Sequence, residues 1–342
     1  MPSRRNFHRI LAVGCFATFA LIHSGCEQRV EVSPGSPSGK APSGESADSP
    51  TKKRGVTIGM IAKSKSNPIF LAAQKGAEDR AAELTKELGV PVTIKWDTPN
   101  DEDAQKQAEI IEQLTGSGVD AITIACSDAG KVTRAIDDAI AKGVQVMCFD
   151  SDAPESKRLC YVGTDDVEAG RQVMRSVAEL LGDKPGVIAI LAGNQTATNL
   201  QKRVRGAEEE LAAHPNLKLK KVYYHKETPQ DAFAEVESAQ KANPEINGWA
   251  MIGGWPLMTE RELPWAAGEV VCVSMDTLPA QVKHLRMGDV QALLGQQYYF
   301  FGRQCVDVLV AKVRDGRDPE HAIDFAPLDR VTKDNADEYE KR

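Results

Sequence analysis

The chain has 342 residues, of which 42% are hydrophobic and only 6% aromatic, and its formal net charge is -7 at pH 7. This composition supports a sizeable aliphatic core and excludes the basic surface of a nucleic-acid-binding protein. After the N-terminal region about 290 residues remain, enough for one large domain or two medium ones, and we favour two closely joined lobes.

The N-terminus carries the features of an export signal. Three arginines within the first nine residues precede an apolar run, 10–22, that is too short to span a bilayer comfortably. Small residues then lead to Cys26 in a pattern that resembles a bacterial lipobox, with His23 at the position where Leu is usual. We predict a signal peptide over residues 1–25 and lipidation of Cys26, the alternatives being a conventional cleavage site or an uncleaved anchor.

The segment 26–54 combines Pro, Ser, Gly and Lys with almost nothing large and apolar. Such a composition cannot build a core and behaves as a flexible tether. We therefore expect the folded part to begin at Gly55 and to hang from a membrane surface in the periplasm or cell envelope. No later segment of the sequence is long and apolar enough to cross a membrane.

From Gly55 onward, short apolar strands alternate with longer helical patterns, which is typical of βαβ units and a parallel sheet. The first series has strands at 56–61, 92–96, 121–125, 144–149 and 159–162 and helices at 69–88, 103–114 and 132–141. A helix at 167–181 opens a second series, with strands at 187–191, 219–223, 248–252, 270–274 and 290–294 and a final helix at 300–314. The predicted fold class is α/β, with two doubly wound parallel-sheet lobes joined by a multi-segment hinge.

Polar residues collect where the predicted strands end. In doubly wound sheets, small ligands bind beyond the carboxyl ends of the strands. The polar residues at these ends are 63–67, Ser127, Asp128, 150–152, 194–199, Asp276 and Gln296. Because both series contribute, the sequence predicts a cleft between two lobes.

Asp150, Ser151 and Asp152 form the sharpest polar cluster, and carboxylates at a strand end can accept hydrogen bonds from a polyol or hold a metal. The histidines are scattered, and the sequence has no zinc-protease, nucleophile-elbow or phosphate-loop motif. We therefore predict no metal, no cofactor and no catalytic residues. From the residues alone, ligand binding and a solvated loop stay equally open for this cluster.

Charged and aromatic residues elsewhere have simpler interpretations. The acidic residues 101–103 begin a predicted helix, so we interpret them as capping groups. Only one of Arg203 and Arg205 can easily face a cleft, since they lie two residues apart on a helix. Trp255 follows two glycines in a loop, which favours the cleft, whereas Trp249 begins a strand and is expected in the core.

Five of the 7 cysteines fall in the folded part: Cys126, Cys148, Cys160, Cys272 and Cys305. No Cys-x-x-Cys spacing occurs, and most of these residues lie in or beside apolar strands. Buried reduced thiols are the favoured interpretation. A disulfide between Cys126 and Cys148 on neighbouring strands is the alternative.

A set of short segments, in a fixed order, carries a family resemblance. These segments are 66–70 (SNPIF), 149–154 (FDSDAP), 161–166 (YVGTDD) with 169–171, 198–199 with Arg203 and Gly206, 275–277 and 295–296. From Val56 to the final helix the chain resembles the periplasmic sugar-binding proteins of ABC importers. The resemblance implies the type I fold that ribose-binding and xylose-binding proteins share.

The resemblance also implies a ligand site. Its residues would be Lys63, Asn67, Phe70, Asp150, Ser151, Thr164, Asn199, Arg203, Trp255, Asp276 and Gln296. Phe70 would stack on a sugar ring, Asp150 would accept hydrogen bonds from its hydroxyls, and Arg203 would donate hydrogen bonds to its oxygens. Asp276 and Gln296 would complete the polar shell. Ser151 stands where ribose binders carry Arg, which favours a xylose-type or another aldose.

The predicted first lobe comprises residues 55–164 and 297–324, and the second comprises 165–296 and 325–342. We expect a monomeric, non-enzymatic receptor that captures a monosaccharide and delivers it to an ABC permease in the inner membrane, without a nucleic-acid partner. One alternative is another small polar ligand, such as a nucleoside or a furanosyl signalling molecule. Another is a sensor input that acts on a chemoreceptor or a histidine kinase.

Overall fold

The computed structural model describes residues 54–259 and 261–339, which form two sheets covered by helices. The predicted signal peptide, Cys26 and the tether up to residue 53 lie outside the described residues, as do residues 340–342 of the predicted second lobe. Within the described ranges, no helix combines the length and the hydropathy that a membrane span requires.

The described residues contain twelve strands and nine α-helices. The strands are β1 (Val56–Ile61), β2 (Val92–Trp96), β3 (Ala121–Ile124), β4 (Gln145–Phe149), β5 (Tyr161–Gly163), β6 (Gly186–Ala192), β7 (Leu217–Tyr224), β8 (Gly248–Met251), β9 (Val271–Met275), β10 (Ala292–Gly295), β11 (Ile323–Phe325) and β12 (Asp329–Val331). The helices are α1 (Ile69–Leu88), α2 (Ala104–Gly116), α3 (Ala129–Ala141), α4 (Asp166–Leu181), α5 (Thr198–Leu211), α6 (Pro229–Ala242), α7 (Pro279–Met287), α8 (Tyr298–Asp315) and α9 (Ala336–Tyr339). A short 3₁₀ helix, Trp255–Met258, lies between β8 and β9.

The two sheets have the same internal order. The first runs β11-β5-β4-β3-β1-β2 and the second β12-β10-β9-β8-β6-β7, so that β4 and β9 occupy equivalent places. The neighbouring strands are parallel except for β10 and β12, which pair antiparallel. All four residues of β3 and of β8 are buried, as expected for central strands that helices cover on both faces. The predicted α/β class with two doubly wound sheets is confirmed.

Three segments connect the two sheets. Helix α4 follows β5 of the first sheet but packs against α5, β8 and β9 of the second, whereas α8 follows β10 of the second sheet but packs against α1 and β4 of the first. The third segment, 326–328, links β11 to β12. This exchange of helices holds the carboxyl ends of both sets of strands together. The lobe boundaries inferred from the sequence stay a prediction.

The predicted and observed bounds of the strands and helices agree most closely after Gly55, where β1, α1 and β2 begin and end at the residues expected from the sequence. Trp249 is fully buried in the core, as predicted. Helix α8 begins at Tyr298 rather than at residue 300. The sequence did not predict β11 or β12, because each has three residues and the large apolar side chains of β11 are about half exposed.

All five cysteines of the described residues are free and buried. The Sγ atoms of Cys126 and Cys148 lie 3.8 Å apart, far beyond the length of about 2.05 Å of a disulfide bond. Cys126 and Cys148 lie on neighbouring segments, as expected, but their thiols are in contact without a covalent bond. The alternative of a Cys126–Cys148 disulfide is therefore wrong for this structure.

Two helix pairs cross at glycines. In the α1–α8 pair, a Cβ atom on Gly302 would overlap the carbonyl oxygen of Ala73, and one on Gly76 would overlap that of Tyr299. The α4–α5 pair has the same arrangement, with Gly170 and Gly206 against backbone carbonyls. These four glycines let the helix backbones within each pair touch.

We expect Gly302→Ala to lower the free energy of unfolding by about 1–3 kcal/mol, because the added methyl group forces the helices apart. The control is Gly116→Ala at the exposed end of α2, where a Cβ atom meets open space. Denaturant unfolding followed by circular dichroism measures both. Equal stabilities of the two variants would contradict this account of the crossing.

Candidate functional site

A small cavity lies where the carboxyl ends of strands from both sheets meet. It is lined by Lys63, Asn67, Phe70, Asp150, Asn199, Leu200, Arg203, Glu227, Gly253, Trp255, Asp276, Gln296 and Tyr298. Its free space of about 20 Å³ would hold one water molecule. The structure thus brings together nine of the eleven residues expected from the sequence, all except Ser151 and Thr164.

Asp150 and Asp276 supply carboxylates from opposite sheets, directly after the equivalent strands β4 and β9. Their φ angles are 57° and 72°, and no other non-glycine residue in the described ranges has a positive φ. Asp tolerates this left-handed conformation better than most residues, and such backbone strain is concentrated at functional sites. Tyr298 Oη donates to Asp150 Oδ1 over 2.6 Å, and Gln296 Nε2 donates to Asp276 Oδ1 over 2.8 Å.

Arg203 on α5 is 3% exposed, and its guanidinium has three acceptors. Nε donates to Asp166 Oδ1 over 2.8 Å, Nη2 to Gln296 Oε1 over 2.8 Å, and Nη1 to the carbonyl oxygen of Ile252 over 3.2 Å. Burial alone would lower the pKa of Arg203, but nearby carboxylates, Asp166 first, hold it above its ordinary value. Burial raises the pKa of Asp166 to about 7, against the opposing effect of the guanidinium. Arg205 is exposed, so one arginine of the pair faces the cavity, as expected.

Lys63, which follows β1, is buried against groups of the second sheet. Its Nζ donates to Asn199 Oδ1 over 3.3 Å and lies 3.7 Å from Glu227 Oε2 and 4.0 Å from Glu102 Oε1. Burial would lower the pKa of Lys63, but the carboxylates of Glu227 and Glu102 outweigh it and raise this pKa. The interpretation of Glu102 as a capping group is wrong: Asp103 caps α2, and Glu102 turns towards Lys63.

Aromatic rings form one wall of the cavity. Phe70 in the first turn of α1 is 2% exposed, and it makes edge-to-face contacts with Phe149 and Tyr298 at centroid distances of 6.4 and 5.8 Å. Asn67 positions the start of this helix, because its side-chain oxygen accepts from the backbone N–H of Ile69. The packing of Phe70 fixes the orientation of the ring that faces the cavity.

Trp255 forms a second aromatic surface, from the 3₁₀ helix after β8, and is 5% exposed. A Cβ atom on Gly193 or on Gly253 would crowd its indole, so these two glycines make room for the ring. His225 packs against it edge-on at 5.0 Å. The Nε1 atom of Trp255 is buried and has no hydrogen-bond partner, which leaves one donor available to a ligand.

Ser151 and Thr164 do not line the cavity. Ser151 is fully buried and is not part of the lining. Thr164 Oγ1 donates to Gln296 Oε1 over 3.0 Å and thereby supports a lining residue. Asp152, the third residue of the predicted cluster, forms a buried ion pair with Arg158 and so has a structural role.

Four lining residues were not expected from the sequence: Leu200, Glu227, Gly253 and Tyr298. Glu227 lies three residues beyond β7, and Tyr298 follows Gln296 at the start of α8. The position of these two residues in the sequence could have indicated them. A charged or aromatic residue shortly after a strand end lies at the same edge of the sheet as the predicted site residues. Leu200 and Gly253 carry no polar group and had no such signal.

The cavity therefore combines carboxylate and amide acceptors with guanidinium, ammonium and indole donors. In the part of the chain that the structure describes, no group of three or more His, Cys, Asp or Glu side chains is arranged to hold a metal ion. Dense donors and acceptors beside aromatic rings suit a small ligand that carries several hydroxyl groups.

Comparison with known proteins places this geometry in a family. The sequence model described as periplasmic binding protein domain matches residues 58–318. A D-ribose/D-allose-binding protein from Pseudomonas aeruginosa is 28% identical over 305 residues, which are 84% of this chain and 91% of that protein. A ribose import binding protein from Bacillus subtilis is 33% identical over 154 residues, 45% of this chain, and in that match the chain spans about half of the relative, 48%.

A solved structure has the same architecture. The solute-binding protein of an ABC transporter from Burkholderia graminis, in complex with D-arabinose, superimposes with a TM-score of 0.75 at 27% identity, covering 83% of this chain and 97% of that chain. The family match extends over most of the folded part, and the two parallel-dominated sheets are those of the type I fold. The chain therefore belongs to the periplasmic binding protein domain family.

Proposed function

We propose that the chain is a lipid-tethered, non-enzymatic solute-binding protein that encloses a monosaccharide between two lobes and delivers it to an ABC importer. The observation that carries the proposal is the convergence of Asp150, Arg203, Asp276 and Gln296 on one cavity. These residues come from strand ends and helices of both sheets, so a ligand held by them is held by both lobes at once.

The chemistry of the lining favours a sugar. Each hydroxyl of a sugar donates one hydrogen bond and accepts others, so it needs both kinds of partner. Asp150 and Asp276 are acceptors, and Arg203 and Lys63 are donors. The apolar C–H face of the ring needs an aromatic surface, which Phe70 supplies.

The size of the cavity supports a closing motion. Free space of about 20 Å³ admits a water molecule but not a sugar ring. A sugar therefore enters only when the lobes separate, and the three connecting segments act as the hinge. Ligand binding stabilises the closed form, which is the form that a permease recognises.

Three relatives support the class of ligand and the transport role. The P. aeruginosa relative is a D-ribose/D-allose-binding protein, the B. subtilis relative is a ribose import binding protein, and the B. graminis protein was solved in complex with D-arabinose. The predicted signal peptide, Cys26 anchor and tether, all outside the described residues, fit a receptor held at the membrane beside its permease.

The direct test is a calorimetric titration of the protein with D-ribose, D-allose, D-arabinose, D-xylose, D-glucose and D-galactose, with the nucleoside adenosine as a comparison. We expect saturable binding of at least one sugar, with one site per chain. Tight binding of adenosine and of no sugar would replace the proposed ligand class. The absence of any binding would contradict the proposal.

We expect Asp150→Asn to weaken sugar binding by about 10- to 100-fold, because charge-assisted hydrogen bonds of this kind contribute about 1.5–3 kcal/mol each. The matched control is Asp183→Asn, which removes a carboxylate from an exposed turn. Calorimetry on both variants measures the change. An Asp150→Asn affinity within twofold of the control would mean that this carboxylate does not touch the sugar.

We expect Arg203→Lys to weaken sugar binding at least tenfold, because an ammonium cannot reproduce the fork that joins Asp166, Gln296 and Ile252. Arg205→Lys is the control, since it makes the same change at an exposed position of the same helix. The same titration measures both. Equal affinities for the two variants would remove Arg203 from the proposed site.

A further inference from the structure

We propose that the cavity selects sugars by charge, binding neutral and amino-substituted sugars and rejecting those with phosphate or carboxylate groups, and that Glu227 is the residue that sets this preference. The inference rests on the proposed function and adds the class of sugar to it. Glu227 comes from the loop after β7 and was not among the residues expected from the sequence.

The cavity and its immediate surroundings contain more acidic than basic groups. The carboxyl groups are those of Glu102, Asp150, Asp166, Glu227 and Asp276, and the cations are Lys63 and Arg203. Arg203 is paired with Asp166 at 2.8 Å, so these two charges offset each other. Lys63 remains to offset the other four carboxyl groups.

Glu227 and Glu102 both form ion pairs with Lys63, whose Nζ donates its hydrogen bond to Asn199 Oδ1. The distances of 3.7 and 4.0 Å from Lys63 Nζ exceed the length of a direct hydrogen bond. Glu102 Oε1 is buried without a hydrogen-bond partner, and so is the Nε1 atom of Trp255, whose side chain is 5% exposed and lines the same cavity. Glu102 Oε1 can accept a hydrogen bond and Trp255 Nε1 can donate one, so this region of the protein suits a ligand with both donors and acceptors.

Glu227 is the member of this cluster that faces the ligand. Its side chain is 6% exposed and lines the cavity, whereas Glu102 is absent from the lining. Glu227 Oε1 accepts a 3.3 Å bond from the backbone N–H of Asn194, and Oε2 forms an ion pair with Lys63 at 3.7 Å. This ion-pair distance is too long for a direct hydrogen bond, so Oε2 can still accept one from a ligand. An ammonium or hydroxyl can donate to Oε2, but a phosphate or carboxylate can only repel it.

The expected size of the effect of charge on affinity follows from the burial of these side chains. One unopposed charge about 5 Å from a ligand charge, at an effective dielectric constant of about 20, changes affinity on the order of a hundredfold. The ion pair with Lys63 partly offsets the charge of Glu227, so removing this one carboxylate is expected to change affinity by about tenfold. Burial raises the pKa of Glu102 to about 7; Lys63 opposes this increase, and Glu227 contributes to it. The other titratable neighbours are Asp150 and Arg203, which face Lys63, and His225, whose pKa burial lowers. Selection is therefore measured at pH 8, where Glu102 is ionised.

The test is calorimetric titration at pH 8 of the full chain, Glu227→Gln, Glu102→Gln and the control Glu208→Gln, which is exposed on α5. The probes are D-ribose, D-arabinose and D-allose, each with its terminal-phosphate and terminal amino-deoxy derivative. We expect each phosphate to bind at least 100-fold more weakly than its parent sugar to the unmodified chain. In Glu227→Gln, relative to the parent sugar, phosphate binding should improve about tenfold and amino-sugar binding should weaken by a similar factor.

These opposite shifts distinguish electrostatic selection from steric exclusion. Gln has nearly the same shape as Glu, so a steric barrier would be the same in Glu227→Gln. Glu102→Gln should shift the affinities of the phosphate and amino derivatives, relative to the parent sugar, in the same directions by a smaller factor. The melting temperature of Glu227→Gln shows whether that variant folds. If it does not fold, Glu102→Gln still tests the inference. Ratios equal to those of Glu208→Gln in both variants would overturn the inference. If the unmodified chain bound none of the neutral sugars, the proposed function itself would fail.

Discussion

The buried guanidinium of Arg203 is the interaction on which the site depends. A charge in the interior is tolerated only when acceptors surround it, and here the acceptors come from α4, from the end of β8 and from the end of β10. Gln296 extends the network, since it also accepts from Thr164 at the end of the first sheet and donates to Asp276 in the second. Arg203 thus joins strand ends of the second sheet to α4, and Gln296 connects this network to Thr164 at the end of the first sheet.

The repeated strand order places matching groups on opposite sides of one cavity. Asp150 after β4 and Asp276 after β9 have the same strained backbone, and each presents a carboxylate from its own sheet. The exchange of α4 and α8 between the sheets, with glycines at both helix crossings, keeps these two strand ends close. A ligand that bridges the two carboxylates therefore bridges the two lobes.

The sequence allowed the fold and much of the site to be predicted, for identifiable reasons. Apolar strands alternating with amphipathic helices determine a doubly wound sheet, and polar residues at strand ends such as Asp150 and Asp276 meet at one edge. Glu102 was misinterpreted because an acidic residue before a helix has the same pattern whether it caps that helix or turns towards a lysine distant in sequence. Ser151 directly follows the left-handed Asp150 and is fully buried outside the cavity lining. Such orientations depend on tertiary packing, which a single sequence does not specify.

The central claim is that one sugar is held by side chains of both lobes at the ends of their strands. A crystal structure of the protein grown with a sugar that binds in solution tests this claim most directly. The account predicts a single sugar in contact with Asp150, Arg203 and Asp276, with its ring against Phe70 and the lobes closed around it. A sugar bound elsewhere, with those four side chains in contact only with one another, would contradict the account.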